Sequence, residues 1–483
     1  MFEEHPGARG ARVGRCDECA RRDESQTDAK KQAMQRWAHK KRDEVTMKPL
    51  ACRCGCDIPC LILKVVFNMK EKPVMNLSCD ETLSNETFSV MRFRTIGAWL
   101  ACGLVFAACG GSKSSAPPPA ETGNVAGRRA FLIAVANDVV LPLYREFDSA
   151  AGELERAAAA YASSLSESDR AGVQQAWRTA MALWQRGELY QFGPAGMKGQ
   201  VAGGMDHRDN LYAWPLINRC RIDQMTLEES YNDAAALAAQ PVNVRGLGAL
   251  EYAQFVTGRA NSCPATNAIN TTGAWDAQTD AQIVERRARY AAAVAALLKQ
   301  EAASLRADWE ADQGNFVAAL VTAGEGSKVY ASTQAALNAV TDAAFYLDTE
   351  TKSMKLAVPA GLNQCEQETC PGALESPLAR VSKENMVENF RAFDALVRHP
   401  NGLSSLLRAL NAESVAVNLE QALQQTLQAI EAVPGPLEEA LSTDLTAVRG
   451  LYEVMKGVTT IMKTEFVSAL DLELPARAEA DND

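Results

Sequence analysis

Residues 91–111, MRFRTIGAWLACGLVFAACGG, divide this chain more sharply than any other feature, because they have the form of a bacterial lipoprotein signal ending in an acceptor cysteine. Arg92 and Arg94 supply a short cationic start, Ile96 to Ala108 an apolar run, and Phe106-Ala107-Ala108-Cys109 a lipobox-like close. The run is well short of the roughly 20 apolar residues that span a hydrocarbon core, so it reads as a cleaved signal (residues 91–108) and not as a membrane helix. Cys109 is then the lipidated first residue of the mature protein, and residues 109–127, rich in Gly, Ser and Pro, form a flexible tether. Gly110 after the cysteine points to the periplasmic face of the outer membrane, with more than one acyl chain making the anchor stable.

A signal works only at the start of a translated chain, so residues 1–90 read as an upstream extension joined to the true start. They carry Cys16, Cys19, Cys52, Cys54, Cys56, Cys60 and Cys79, many charges, and no sustained helical or strand period. The alternative is a zinc module on those cysteines, but C-x-C-x-C replaces the second C-x-x-C that such a module uses.

The whole chain has a net charge of −11, and the part after the signal is more acidic still. Nucleic-acid binding, which needs cations to neutralise phosphates, is thereby disfavoured. Ala, Leu, Glu and Gln dominate, aromatics make up 6%, and strand signals are scarce, so the expected fold is all-α. Apolar spacing predicts a helix over 128–164 bent at Pro142, then one entered through Ser166-x-x-Asp169, with Trp177, Met181 and Trp184 on one face. A long Gly-rich loop follows residue 193. Thr226-x-x-Glu229 is expected to cap the next helix, and Arg245 to open another. Further helices are expected from about 275 to 312, over 329–356, 382–395, 402–410 and 414–432, and, after the Pro434-Gly435-Pro436 turn, over 437–472. Two tandem helical bundles, about 128–315 and 328–475, account for this pattern within a domain of 128–475, leaving 476–483 as an acidic tail. Cys220, Cys263, Cys365 and Cys370 allow three disulfide connectivities in an oxidising compartment. The most local one pairs Cys220 with Cys263 and Cys365 with Cys370.

The chemistry gathers around Arg245-Gly246-Leu247-Gly248-Ala249-Leu250-Glu251-Tyr252. With the Trp177-Arg178 and Trp184 helix running into Phe192-Gly193-Pro194, and with Ala213-Trp214-Pro215, this segment resembles the imelysin family. That family comprises exported bacterial proteins that include an insulin-cleaving membrane protease and iron-regulated lipoproteins. The resemblance covers roughly 130–470 and implies an all-α fold. Its signature is G-x-H-x-x-E, of which Gly246 and Glu251 match the ends, while Gly248 stands where the histidine belongs. The resemblance implies iron or zinc as a cofactor, which the residues themselves leave undetermined. One helical turn would aim His and Glu at a single metal, but Glu251 alone is a weak site. His207 is a further candidate ligand if its loop folds over the Glu251 helix.

The expected ligand pocket combines Trp177, Trp184, Trp214, Pro215, Arg245, Gly246, Gly248 and Glu251 with Glu188 and Glu375, which fall where the family places polar residues. The sequence contains no nucleophile elbow, H-E-x-x-H, P-loop or dinucleotide fingerprint, so no catalytic residue is assigned. The leading expectation is a non-enzymatic binding lipoprotein linked to metal or iron uptake, with a small ligand or metal and a transporter as partners. The alternatives are an imelysin-type metallopeptidase, which loss of the histidine argues against, and a structural or partner-docking lipoprotein.

Overall fold

The structure, a computed structural model, describes residue 121 and residues 123–479. The signal, Cys109, most of the tether, residues 1–90 and the end of the acidic tail lie outside the described residues. Among the described residues all regular structure is helical. The principal helices are α1 (Val125–Ala134), α2 (Leu141–Ser164), α3 (Glu167–Gly187), α4 (His207–Leu211), α5 (Arg219–Glu228) and α6 (Gly246–Phe255). They continue with α7 (Asp280–Trp309), α8 (Thr333–Ala344), α9 (Ser382–Arg398), α10 (Leu403–Ala409), α11 (Glu413–Ala432) and α12 (Leu445–Ile461).

Local chemistry explains most of the boundaries. Ser166 Oγ accepts the Asp169 N–H at 3.2 Å and starts α3, while Thr279 and Gln282 form a reciprocal capping box at the start of α7. Pro142 cannot donate a backbone hydrogen bond. The chain stays helical around it through a wide π-helical stretch, Val135–Val140, immediately upstream. The expected cap at Thr226 is not one. Thr226 is buried inside α5, which is capped at Asn218, and Glu229 takes the left-handed conformation that ends it. Asn218 supplies the cap because its Oδ1 reaches the Arg221 N–H. The helix expected over 329–356 is α8 followed by a second π-helical stretch, Leu347–Ala357, and the helix expected over 437–472 restarts at Asp444.

Helices α2, α3, α6 and α7 pack together, as do α9, α10, α11 and α12 with the Leu347–Ala357 stretch. The two groups meet chiefly across α3 and α9, and one continuous hydrophobic core runs through both. Three tryptophans with no exposure, Trp177, Trp184 and Trp309, anchor the N-terminal group of helices. Both disulfides form as the most local connectivity, Cys220–Cys263 and Cys365–Cys370. Among the described residues no helix is long and apolar enough to cross a membrane.

Candidate functional site

Three segments line an open cavity of about 670 Å³. The first is 212–217, in which Trp214 and Pro215 are joined by a cis peptide; the second is the start of α5; the third is 372–377. Gly248 and Glu251 line the same cavity from α6. Cys220 and Ser262, both lining residues, lie at or beside the Cys220–Cys263 disulfide. The Cys365–Cys370 bridge closes the turn that leads into Gly372. Both crosslinks therefore brace walls of one cavity.

Helix α6 is buried at all ten of its positions, which fixes Glu251 firmly. Its Oε1 accepts the backbone N–H groups of Leu378 and Ala379 at 2.9 and 3.0 Å, tying α6 to the segment before α9. Burial pushes the carboxyl up to about 7, against the opposing pull of those two donors and of the Arg219 charge. Glu251 Oε2 makes no hydrogen bond to a described residue.

Gly248 lies three residues earlier, and a Cβ there would run into the end of the Ile217 side chain. The place a histidine would use is therefore filled by an isoleucine from the opposing loop. Of the lining residues, Glu251 is the one carboxylate, Cys220 is locked in a disulfide, and no imidazole is present. Among the described residues, His, Cys, Asp and Glu nowhere gather as a metal-binding group of three or more. This donor set does not fit a divalent cation, which needs about three protein ligands. Gly248→His is expected to be coupled to Ile217→Ala in a double-mutant cycle, with the smaller residue relieving the histidine by about 0.5–3 kcal/mol. Urea unfolding of the four proteins measures it, and simple additivity would refute the steric account.

The other expected pocket residues lie elsewhere. Trp177 donates to the Leu247 carbonyl at 2.9 Å and Trp184 to Glu188 Oε1 at 2.6 Å, both inside the core. Glu188 and Glu375 have no exposure, so they neither line the cavity nor face solvent. Arg245 points its guanidinium at Asn210 Oδ1, 3.0 Å away, and not at Glu251. Gly246 has φ +72°, with the Leu211 carbonyl where a side chain would start, so only glycine suits the position. Trp214, Pro215, Gly248 and Glu251 are thus the members of the expected set that the fold brings to the cavity.

Behind Trp214 lies a buried polar network that sequence reasoning missed apart from its two glutamates. Lys355 Nζ meets Glu375 Oε2 at 3.0 Å, Gln185 Oε1 at 2.6 Å and Asn389 Oδ1 at 2.9 Å. Glu375 also accepts from Gln185, Tyr212 and Asn385. Arg208 reaches Glu188 at 3.2 Å. Lys355 lies on the Leu347–Ala357 stretch, whose buried face also carries Asp348, Thr351 and Lys352. The visible signal was four polar residues at helical spacing, a pattern that normally marks a solvated face.

His207 does not fold over Glu251. Its Nδ1 lies 2.7 Å from Glu301 and its Nε2 2.7 Å from Asp308, both on α7, so α4 is pinned to α7. Burial opposes charging the ring, but the two carboxylates outweigh it and hold the pKa above its ordinary 6.5. The stability this clamp contributes is complete below 6.5 and is lost as pH rises through the raised value of the folded state. Urea midpoints measured from pH 6 to 9 are expected to fall less steeply in His207→Gln than in the parent, and parallel curves would contradict the clamp.

The family model for imelysin, peptidase M75, matches residues 140–457. Iron-regulated protein A of Synechococcus elongatus is 25% identical over 391 residues, covering 78% of this chain and 92% of that protein. The crystal structure of an imelysin-like protein from Psychrobacter arcticum superposes with a TM-score of 0.58 at 17% identity, over 74% of this chain and 99% of that one. The structural similarity speaks for a shared fold.

Proposed function

The chain belongs to the imelysin family, and from that premise we propose a non-enzymatic lipoprotein of the periplasm that binds a small ligand in the Glu251 cavity and works in iron acquisition. The observation that carries the non-enzymatic reading is the Ile217 side chain in the place of the signature histidine, beside a Glu251 whose Oε1 already accepts two backbone donors. An imelysin-type peptidase would need a held metal to polarise a carbonyl or activate water, and one carboxylate without imidazole partners does not hold one. The iron connection rests on the name of the Synechococcus relative, an iron-regulated protein. The anchor rests on the signal-like segment that ends at Cys109. A transporter is the partner such an anchored binding protein would serve, and the acidic surface disfavours nucleic acid.

Two measurements test this reading. Cell fractionation is expected to find the parent protein with the outer membrane and Cys109→Ser released from it, and identical partitioning would remove the anchor. Native mass spectrometry of the protein purified from its own host is expected to show a bound small molecule that Trp214→Ala loses. A ligand-free spectrum for the parent would overturn the binding role.

A further inference from the structure

Arg219 lines the Glu251 cavity half-buried, yet its guanidinium makes no hydrogen bond and no ion pair with a described residue. Its neighbours behave differently. Arg221 meets Glu228, Arg259 lies near Asp276 and Asp280, Arg286 meets Glu229, and Arg287 meets Asp223. Arg219 lies over the Tyr252 ring, 6.0 Å from its central carbon, and feels the Glu251 charge without a direct contact to it, and neither interaction occupies the five N–H donors.

Other donors without partners line the same cavity. The N–H groups of Arg219 and Cys220, the first two of the ten-residue α5, have no acceptor among the described residues. Asn218 uses its Oδ1 on the Arg221 N–H, while its amide NH₂ and the Asn243 side chain make no hydrogen bond with a described residue. Against these donors stands a single carboxylate, Glu251. Much of the remaining lining is apolar, including Trp214, Pro215, Ile217, Leu374 and Pro377, with Tyr212, Ser262 and Ser376 also present. An excess of donors around an open guanidinium calls for an anion, and an apolar wall beside them calls for a carbon skeleton.

We propose that the cavity binds a small organic carboxylate, gripped by the Arg219 fork with help from the Asn218 and Asn243 amides, with its skeleton against Trp214 and Pro215. This deepens the binding role proposed above and rests on it. A metal would then reach this protein only as part of such a ligand, as a carboxylate chelate.

Calorimetric titration of the full chain with acetate, succinate, citrate and inorganic phosphate at one fixed pH tests it, in the parent, Arg219→Gln and Trp214→Ala. At least one of the carboxylates is expected to bind saturably, about tenfold or more weaker in Arg219→Gln, with phosphate weaker than that carboxylate. Because Arg219 makes no hydrogen bond or close ion pair with a described residue, Arg219→Gln is expected to stay near the parent's urea midpoint, so lost binding is not lost folding. Carboxylate binding that Trp214→Ala weakens and Arg219→Gln leaves unchanged would overturn the Arg219 assignment while keeping the cavity as a ligand site. Phosphate binding as tightly as the best carboxylate would overturn the organic skeleton. No saturable binding of any of the four would overturn the carboxylate proposal. The host-purified mass spectrum then decides separately whether the cavity binds anything else.

Discussion

Lys355→Met is expected to destabilise the protein by about 3–5 kcal/mol, because it leaves Glu375 without exposure and without its cationic partner. Lys355 also donates to Gln185 and Asn389, so one substitution removes a charged donor from acceptors on both α3 and α9, the helices that join the two groups, leaving each with one neutral donor. The double variant Lys355→Met, Glu375→Leu is expected to recover much of the loss, since a buried ion pair stabilises little over an apolar pair of similar volume. Urea unfolding of the parent, both single variants and the double variant measures this. A loss below about 1 kcal/mol for Lys355→Met would mean that the lysine is not desolvated as the structure has it. The substitution also reaches the ligand site, because the Lys355 ammonium lies 5.8 Å from the centre of the Trp214 ring that walls the cavity. Weaker ligand binding should therefore accompany the loss of stability.

Replacing Cys220 and Cys263 together by serine is expected to cost about 4 kcal/mol, the loop-closure estimate for a crosslink spanning 43 residues. The same change at Cys365 and Cys370, only five residues apart, should cost about 2 kcal/mol. The larger effect falls on the wall that carries Asn218, Arg219 and Ser262, so ligand binding should weaken before the molecule unfolds. Urea midpoints with and without a reducing agent check both figures. Equal, small losses for the two pairs would show that the unfolded-chain argument does not govern them.

The helices were legible in the sequence because their signals are local. The Ser166 cap, the apolar spacing of α2 and α3 and the Pro434-Gly435-Pro436 turn each act within a few residues. The Thr226 assignment failed because T-x-x-E states only that a cap is chemically available. Asn218, eight residues earlier, had already begun the helix, and Thr226 was free to be buried inside it. The π-helical stretches at Val135–Val140 and Leu347–Ala357 were hidden because no residue type marks where a helical backbone widens from i→i+4 to i→i+5 bonding.

The site was half legible. Gly248 and Glu251 share a motif, and Trp214 and Pro215 share a loop, so a one-dimensional pattern could mark them. Arg219 and Ile217 carry no pattern; what distinguishes them is that one makes no hydrogen bond or close ion pair with a described residue and the other fills a neighbour's missing side chain. Both are facts of three-dimensional packing. Glu188 and Glu375 were expected to line the pocket, but the fold buries both and uses them to hold charges inside the core between the two helix groups.

Central to the account is that the signature position no longer supports a metal. Calorimetric titration of the full chain with ferrous iron and with zinc, in the absence of carboxylate ligands and alongside Glu251→Ala, tests it most directly. The expected result is no saturable binding that distinguishes the two proteins. Stoichiometric binding in the parent that Glu251→Ala abolishes would contradict the account, for Glu251 would then have recruited ligands that the packing around Ile217 does not provide.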